Sequence, residues 1–114
     1  MNRRRHPVDH RMVLQKELTR IVNKLRELDA EKVILFGSYA QGRADLFTDL
    51  DIIVVLDTDL PYVERSGYIY RELSPRVAAD VLVYTPQEWQ KMQGRPFIKQ
   101  ALKEGKVLYE KTFS

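Results

Sequence analysis

Five apolar residues, 52–56, directly follow the acidic residues Asp49 and Asp51. A run this short and this rich in isoleucine and valine is typical of a buried β-strand, which we predict over residues 49–57. Because side chains alternate between the two sides of a strand, Asp49 and Asp51 are predicted to point the same way, about 7 Å apart along the chain. The strand therefore carries two carboxylates toward one spot.

The other apolar patterns predict the rest of a small mixed fold. Apolar side chains spaced four and three residues apart predict a helix over residues 9–29, whose apolar stripe packs on a core in preference to forming a dimer seam. The further predicted elements are a strand over 32–36, a helical turn after Gly37 and Ser38, a helix ending near Leu73, a strand within 76–85, a helix from Pro86, a helix over 96–104 and a short strand over 107–109. This order predicts an α/β (α+β) fold, with a small mixed β-sheet and helices mainly on one face.

The length of 114 residues predicts one domain with one core. We divide the chain into a flexible basic N-terminus, residues 1–8, and a folded domain, residues 9–114. Arg3, Arg4 and Arg5 are interpreted as part of a disordered end in preference to a phosphate-binding arm. The start has no apolar stretch of the kind found in secretory signals, and no run approaches the roughly 20 residues of a membrane span. We therefore expect a cytoplasmic protein with no membrane contact.

Composition removes several classes of site. The chain has no cysteine, which excludes disulfides, thiolate metal sites and cysteine nucleophiles, and its net charge of +3 argues against a dedicated nucleic-acid binder. His6 and His10 are interpreted as exposed and unrelated in preference to a metal-binding pair, because Pro7 lies between them. Four aromatic residues are interpreted as core or ordinary surface in preference to base-stacking or partner-binding groups: Tyr62, Tyr68, Tyr70 and Trp89.

A third acid, Asp80, lies between Ala79 and Val81 in the second valine-rich run. A buried carboxylate without a partner is costly there, so a positive group should meet it. If the two strands are neighbours, Asp80 joins Asp49 and Asp51 in one cluster, where mutual repulsion favours shared protons or a bound cation. Ligands that are all oxygen atoms suit Mg²⁺ or Mn²⁺.

Gly37 and Ser38 follow the first predicted strand and could form a phosphate site. Glycine lets a phosphate approach the backbone, and the serine offers an N–H and a hydroxyl. An isolated Gly-Ser pair is more often a turn with a capping serine. The specific signal is the combination of this pair with two strands and three acids in the right order.

The spacing of Gly37-Ser38, ten intervening residues and Asp49-Leu50-Asp51 resembles the signature of minimal nucleotidyltransferases, a branch of the DNA polymerase beta superfamily. The resemblance spans nearly the whole chain and includes "ILFGSYAQG", "TDLDIIVVL" and the closing "PFIKQALKEGKVLYE".

Two positions depart from the family pattern. Gln41 stands where members often carry arginine, and Thr48 stands where serine is common. Thr48 keeps the hydroxyl group. Gln41 removes a charge that would neutralise phosphate, and Arg43 is the candidate to replace that charge in the nucleotide site.

The resemblance implies metal-dependent transfer of AMP, or another NMP, from ATP or another NTP to an acceptor hydroxyl. It implies that Asp49, Asp51 and Asp80 are catalytic and hold two Mg²⁺ ions, with Mn²⁺ as an alternative, and that Asp80 serves the second ion and helps to deprotonate the acceptor. It also implies that Gly37 and Ser38 bind the β and γ phosphates of the substrate ATP.

The implied partner is a helical HEPN-type toxin, silenced by adenylation of a tyrosine, so that this chain would be the antitoxin. Two alternatives stay open. One is a non-catalytic antitoxin that blocks its partner by binding, and the other is a nucleotidyltransferase for a small, aminoglycoside-like molecule. The base preference and the oligomeric state, including a homodimer, are also left open.

Overall fold

The computed structural model describes residues 7–43 and 48–112. The predictions for residues 1–6, including Arg3 to Arg5 and His6, lie outside the described residues. The helices and strands in this part of the chain are α1 (Pro7–Glu27), β1 (Lys32–Phe36), α2 (Gly37–Ala40), β2 (Leu50–Val55), α3 (Tyr62–Leu73), β3 (Ala79–Tyr84), α4 (Pro86–Met92), α5 (Pro96–Glu104) and β4 (Lys106–Glu110).

The four strands form one mixed sheet in the order β3-β2-β1-β4. β1 pairs antiparallel with both β2 and β4, whereas β2 and β3 run parallel with α3 between them along the chain. In the parallel pair Asp51 stands opposite Asp80. The predicted mixed α/β fold is therefore confirmed, and the pairing of β2 with β3 is the feature that positions the acids.

The first face of the sheet carries the larger core. The apolar stripe of α1 and the buried side of α3 pack against it, and the core contains Leu14, Ile21, Leu25, Leu50, Ile52, Val54, Ile69 and Leu73. α1 and α3 hold most of the helical residues, as the prediction of helices mainly on one face requires.

The second face is covered in part. α4 and α5 pack a smaller apolar cluster against it, made of Ile34, Ile53, Val55, Tyr84, Trp89, Ile98 and Ala101. Thr85 and Glu88 form the predicted capping box at the start of α4, with Pro86 in the first turn. Asp51 and Asp80 lie outside this cluster, at the opposite end of the same face.

A partly buried ion pair fixes the chain just before β3. The Arg20 guanidinium donates to both carboxylate oxygens of Glu17, at 2.7 and 2.9 Å, and to the carbonyl oxygen of Leu73 at 2.8 Å. The backbone N–H of Arg76 also donates to Glu17. Because Leu73 ends α3 and Ser74 adopts a left-handed conformation (φ 42°), these bonds tie α1 to the turn that leads into the strand of Asp80.

Several predicted boundaries differ from the observed ones. α1 begins at Pro7, two residues before the predicted start, because proline is tolerated in the first helical turn. β2 begins at Leu50, so Asp49 precedes the strand. None of the helices within residues 7–43 and 48–112 has the length and apolar character that a membrane span needs.

Candidate active site

Asp51 and Asp80 face each other across the parallel strands β2 and β3, which in a sheet lie about 4.8 Å apart. Burial raises the pKa of Asp51 to about 6, and the neighbouring Asp80 and Asp49 charges and a hydrogen bond with Asp80 add to the effect. Because its pKa is raised, the negative charge of Asp51 is disfavoured at this position, and a bound cation would stabilise it.

Asp49 and Asp80 are exposed, whereas Asp51 is half-buried. The prediction that Asp80 would be a buried acid is wrong, because β3 is an edge strand and the helices of the second face cover the other end of the sheet. Asp49 lies close enough for its charge to raise the pKa of Asp51, although it precedes the strand that was predicted to carry it. The fold thus brings all three acids to one end of the sheet.

The donor set fits a hard divalent cation, since carboxylate oxygens are what Mg²⁺ and Mn²⁺ prefer. Within residues 7–43 and 48–112, no three acid or histidine side chains are already arranged to hold a metal ion. Asp51 and Asp80 are paired across the two strands, and Asp49 lies close enough for its charge to raise the pKa of Asp51. These three carboxylates are the candidate ligands of a cation.

Gly37 lies against Asp51 in a way that no other residue could. Its φ of +75° is in the left-handed region, and a Cβ at this position would stand 2.9 Å from Asp51 Cγ and closer still to Oδ2. Glycine is therefore required both by the backbone conformation and by the space that Asp51 occupies. The Gly-Ser turn and the acid pair form one unit.

Ser38 lies in the single helical turn of α2, next to Gly37. Its carbonyl oxygen accepts hydrogen bonds from the backbone N–H groups of Gln41 (3.1 Å) and Arg43 (3.0 Å), which keeps Arg43 beside the turn with its side chain exposed. Gln41 is directed elsewhere, since its Nε2 donates to Glu104 of α5 at 2.9 Å. Position 41, where the family often has arginine, thus makes an α2–α5 contact. Arg43 and Arg11 are cations at this turn, and the Arg11 guanidinium donates to the carbonyl oxygen of Gly42 at 3.5 Å.

His10 is only 8% exposed, which contradicts the expectation that it would be an exposed histidine. Its Nε2 lies 3.4 Å from the carbonyl oxygen of Thr48, and because a carbonyl only accepts, Nε2 is the protonated nitrogen. Among the described residues Nδ1 has no hydrogen-bond partner. The ring thus supports the residue before Asp49. The sequence held a signal for this, because His10 lies four residues before Leu14, on the apolar stripe of α1.

A cavity of about 590 Å³ opens beside the acids. It is bounded by Asp51 and Asp80 on the sheet, by Phe36 at the end of β1, and by Gly67 and Tyr70 of α3. Tyr70 was interpreted as core or ordinary surface. No pattern in the sequence marks Gly67 or Tyr70 as part of a site, since only the fold brings α3 to the edge of β3.

The sequence matches a known family over nearly its whole length. The profile described as "Polymerase beta, Nucleotidyltransferase" matches residues 9–114. A protein of Methanocaldococcus jannaschii named "Putative protein adenylyltransferase" is 32% identical over 99 residues, which cover 83% of this chain and 97% of that protein.

Solved structures share the fold. A crystal structure of a "putative nucleotidyltransferase" from Sulfolobus solfataricus gives a TM-score of 0.66 at 19% identity and covers 97% of this chain and 93% of the solved chain. A mutant of the toxin–antitoxin MntA–HpeT gives 0.57 at 23% identity, covering 83% of this chain and 73% of that one. A toxin–antitoxin with AMP-PNP gives 0.54 at 22% identity, covering 82% and 73%. At these identities the likeness concerns the fold alone.

Proposed function

This chain belongs to the polymerase beta nucleotidyltransferase family, and we propose that it transfers AMP from ATP to a tyrosine hydroxyl of a partner protein, a HEPN-type toxin. Nucleotidyl transfer follows from membership of the family. The partner, the metal ions and the acceptor are the proposal. The observation that carries it is that Gly37, Asp51 and Asp80 lie side by side at one end of the sheet.

Asp49 and Asp51 would hold the metal ion that travels with the triphosphate, and Asp51 and Asp80 would hold the second. When bound, such ions neutralise phosphate charge and stabilise the entering and leaving oxygens of an in-line displacement. The raised pKa of Asp51 supports this assignment, since the cluster is short of positive charge in the free protein.

The turn after β1 would bind the leaving part of the nucleotide. Gly37 presents backbone without a side chain, Ser38 adds a hydroxyl, and exposed Arg43 supplies a cation for the phosphates. Asp80 would accept the proton of the acceptor hydroxyl, a role that suits an exposed carboxylate because the acceptor must be able to reach it.

The relatives support the choice of nucleotide and partner. The M. jannaschii relative is named as a protein adenylyltransferase, and two proteins that share the fold are toxin–antitoxin pairs, one of them with AMP-PNP. An adenosine triphosphate and a toxin protein are therefore the substrate and partner we assign to this chain.

The test is co-expression with any short helical reading frame that neighbours the gene, followed by incubation of the purified pair with Mg-ATP and intact-mass measurement. We expect the partner to gain the mass of one AMP on a tyrosine. The Asp51→Asn variant should leave the partner unmodified, whereas Asp57→Asn, a matched change of an exposed acid beyond β2, should not reduce transfer. A partner that binds but gains no mass would instead favour the non-catalytic antitoxin.

A further inference from the structure

The cavity is lined by Asp80, which lies on the far side of Asp51 from Gly37 in the sheet. β3 carries Asp80, β2 carries Asp51, and β1 ends at Gly37, in that order across the sheet. Asp80 and α3 therefore line the cavity on the side away from the Gly-Ser turn, and Phe36 lines it beside Asp51. A phosphate held at Asp51 would therefore have the Gly-Ser turn on one side and Asp80 on the other.

In an in-line displacement the entering oxygen approaches opposite the leaving oxygen. On the proposed function, on which this inference rests, pyrophosphate leaves toward Gly37 and Ser38. The acceptor oxygen must then enter from the side of Asp80. We infer that the cavity between α3 and β3 receives the acceptor side chain and that its lining selects a phenol, the side chain of tyrosine.

The lining favours an aromatic ring. Phe36, Tyr70 and Leu82 contribute apolar or aromatic surface. The hydroxyl of Ser66 is already engaged, since it donates to the carbonyl oxygen of Val81 at 2.8 Å. The remaining polar groups of side chains are the Tyr70 hydroxyl and the two carboxylates, which suits a ring that ends in one hydroxyl.

The charge of the lining argues against an acceptor that carries phosphates. No lysine or arginine among the described residues lines the cavity, and Asp51 and Asp80 make it acidic. A nucleic-acid end would need cations to neutralise its backbone. A protein hydroxyl needs none.

Gly67 supplies an independent argument. It lies inside α3, where glycine destabilises a helix relative to alanine. Packing does not require glycine there, because a Cβ would approach only the flexible end of Arg71, 3.4 Å from Nη1, and the φ of Gly67 is not positive. The helix therefore carries a residue that weakens it at a position that lines the cavity.

The experiment is a ¹H–¹⁵N NMR titration of the full chain with N-acetyl-L-tyrosinamide, in the presence of Mg²⁺ and adenosine 5′-(α,β-methylene)triphosphate, which blocks transfer. We expect saturable shifts of the Gly67, Tyr70 and Asp80 amides. N-acetyl-L-serinamide should leave them unshifted, because it has no ring for the apolar lining. A parallel titration with the nucleotide alone should shift Gly37 and leave Gly67 unshifted.

Two pairs of variants localise the effect. Gly67→Leu should weaken tyrosinamide binding at least about tenfold by filling the cavity, whereas Gly94→Leu, at a glycine with open space around it and no part in the cavity, should not. Tyr70→Ala should also weaken binding. Tyr62→Ala is its control, since both tyrosines lie on α3 and they are 45% and 46% exposed. In all four variants the nucleotide affinity should stay within about twofold of wild type.

The outcomes separate the inference from the proposed function. If the chain binds the nucleotide but tyrosinamide shifts none of the cavity amides, the inference is overturned and the proposed function stands. If the nucleotide itself shifts Gly67 and displaces tyrosinamide, the cavity holds the nucleoside and the inference is again overturned. If tyrosinamide binds while no nucleotide does, the cavity is a phenol site as inferred and the proposed function fails.

Discussion

The two faces of the sheet use the same strands for opposite purposes. On the first face Leu50, Ile52 and Val54 of β2 are fully buried under α1 and α3. On the second face the alternate residue Asp51 stands beside Asp80, beyond the edge of the cluster that α4 and α5 cover. A stretch of two residues thus contains a core position and an acid with a raised pKa. The comparison indicates that residues on the first face stabilise the fold, whereas the acids on the second face serve the reaction. Substitutions on the first face should therefore lower stability, and substitutions of the acids should lower activity.

The largest effect is expected at Asp80. Asp80→Asn should lower turnover at least about a thousandfold, roughly 4 kcal/mol, because it removes the group assigned to the second metal ion and the acceptor proton. Nucleotide affinity and the melting temperature should hold, or the latter should rise, since asparagine relieves repulsion with Asp51. Calorimetry measures the nucleotide affinity, and the rate of AMP transfer measures the turnover. Near-normal transfer would make Asp80 a purely structural acid, and loss of nucleotide binding would mean that the roles of the acids are divided differently.

The second largest effect is a loss of stability, expected from a substitution on the first face of the sheet. Ile52→Ala should lower the free energy of unfolding by about 3 kcal/mol, because Ile52 is fully buried and its truncation leaves a cavity in the core. Nucleotide affinity measured on the folded fraction should be unchanged. Urea unfolding supplies the stability, and Asp51→Asn, one residue away, is the matched comparison. A stability loss in Asp51→Asn equal to that in Ile52→Ala would erase the distinction between the faces.

The third effect tests the covered end of the second face. Thr85→Ala removes the reciprocal capping box with Glu88 at the start of α4, and should cost about 1 to 2 kcal/mol of stability with no change in AMP transfer. Thermal unfolding and the transfer assay check both. Reduced transfer at full occupancy of nucleotide would mean that α4 takes part in the active site.

The smallest effect is a pH dependence. The pKa of Asp51 is about 6 in the folded chain against an ordinary value of 3.8. Below about pH 4 the carboxyl is protonated in both states, and as the pH rises toward 6 the unfolded chain releases its proton first, so stability falls through this window and stays lower above it. Because Asp51 is only half-buried, we expect the loss to be about 1 kcal/mol. Asp51→Asn should gain that amount over wild type above pH 6 in EDTA, with no gain below pH 4. An equal gain at both pH values would show that ionisation of Asp51 is not its source.

Much of the fold was predictable because it depends on local chemistry. β1 and α5 occur at their predicted bounds, since glycine and proline delimit them, and the Thr85-Pro86-Gln87-Glu88 sequence predicts the start of α4. The sequence predicted a cluster of three acids on the condition that the two acidic strands are neighbours, and the parallel pairing of β2 with β3 meets that condition.

The parts that escaped prediction depend on tertiary contacts. The exposure of Asp80 depends on which end of the second face the short helices cover, and the burial of His10 depends on a contact with Thr48, 38 residues away. The cavity requires α3 to lie along the edge of β3, which no spacing encodes. The sequence pattern therefore identified the acids as candidate site residues. Their surroundings became clear only from the packing of the helices against the sheet.

The central claim is that the end of the second face that carries Asp51 and Asp80 binds a nucleotide through divalent cations held by its acids. Titration calorimetry of Mg-AMP-PNP into wild type and into the Asp49→Asn, Asp51→Asn double variant tests it most directly. The account predicts binding to wild type that EDTA abolishes, and at least about a hundredfold weaker binding to the double variant, whose melting temperature without ligand should be no lower than that of wild type. Equal affinity in the two proteins, or binding to wild type that persists in EDTA, would contradict it.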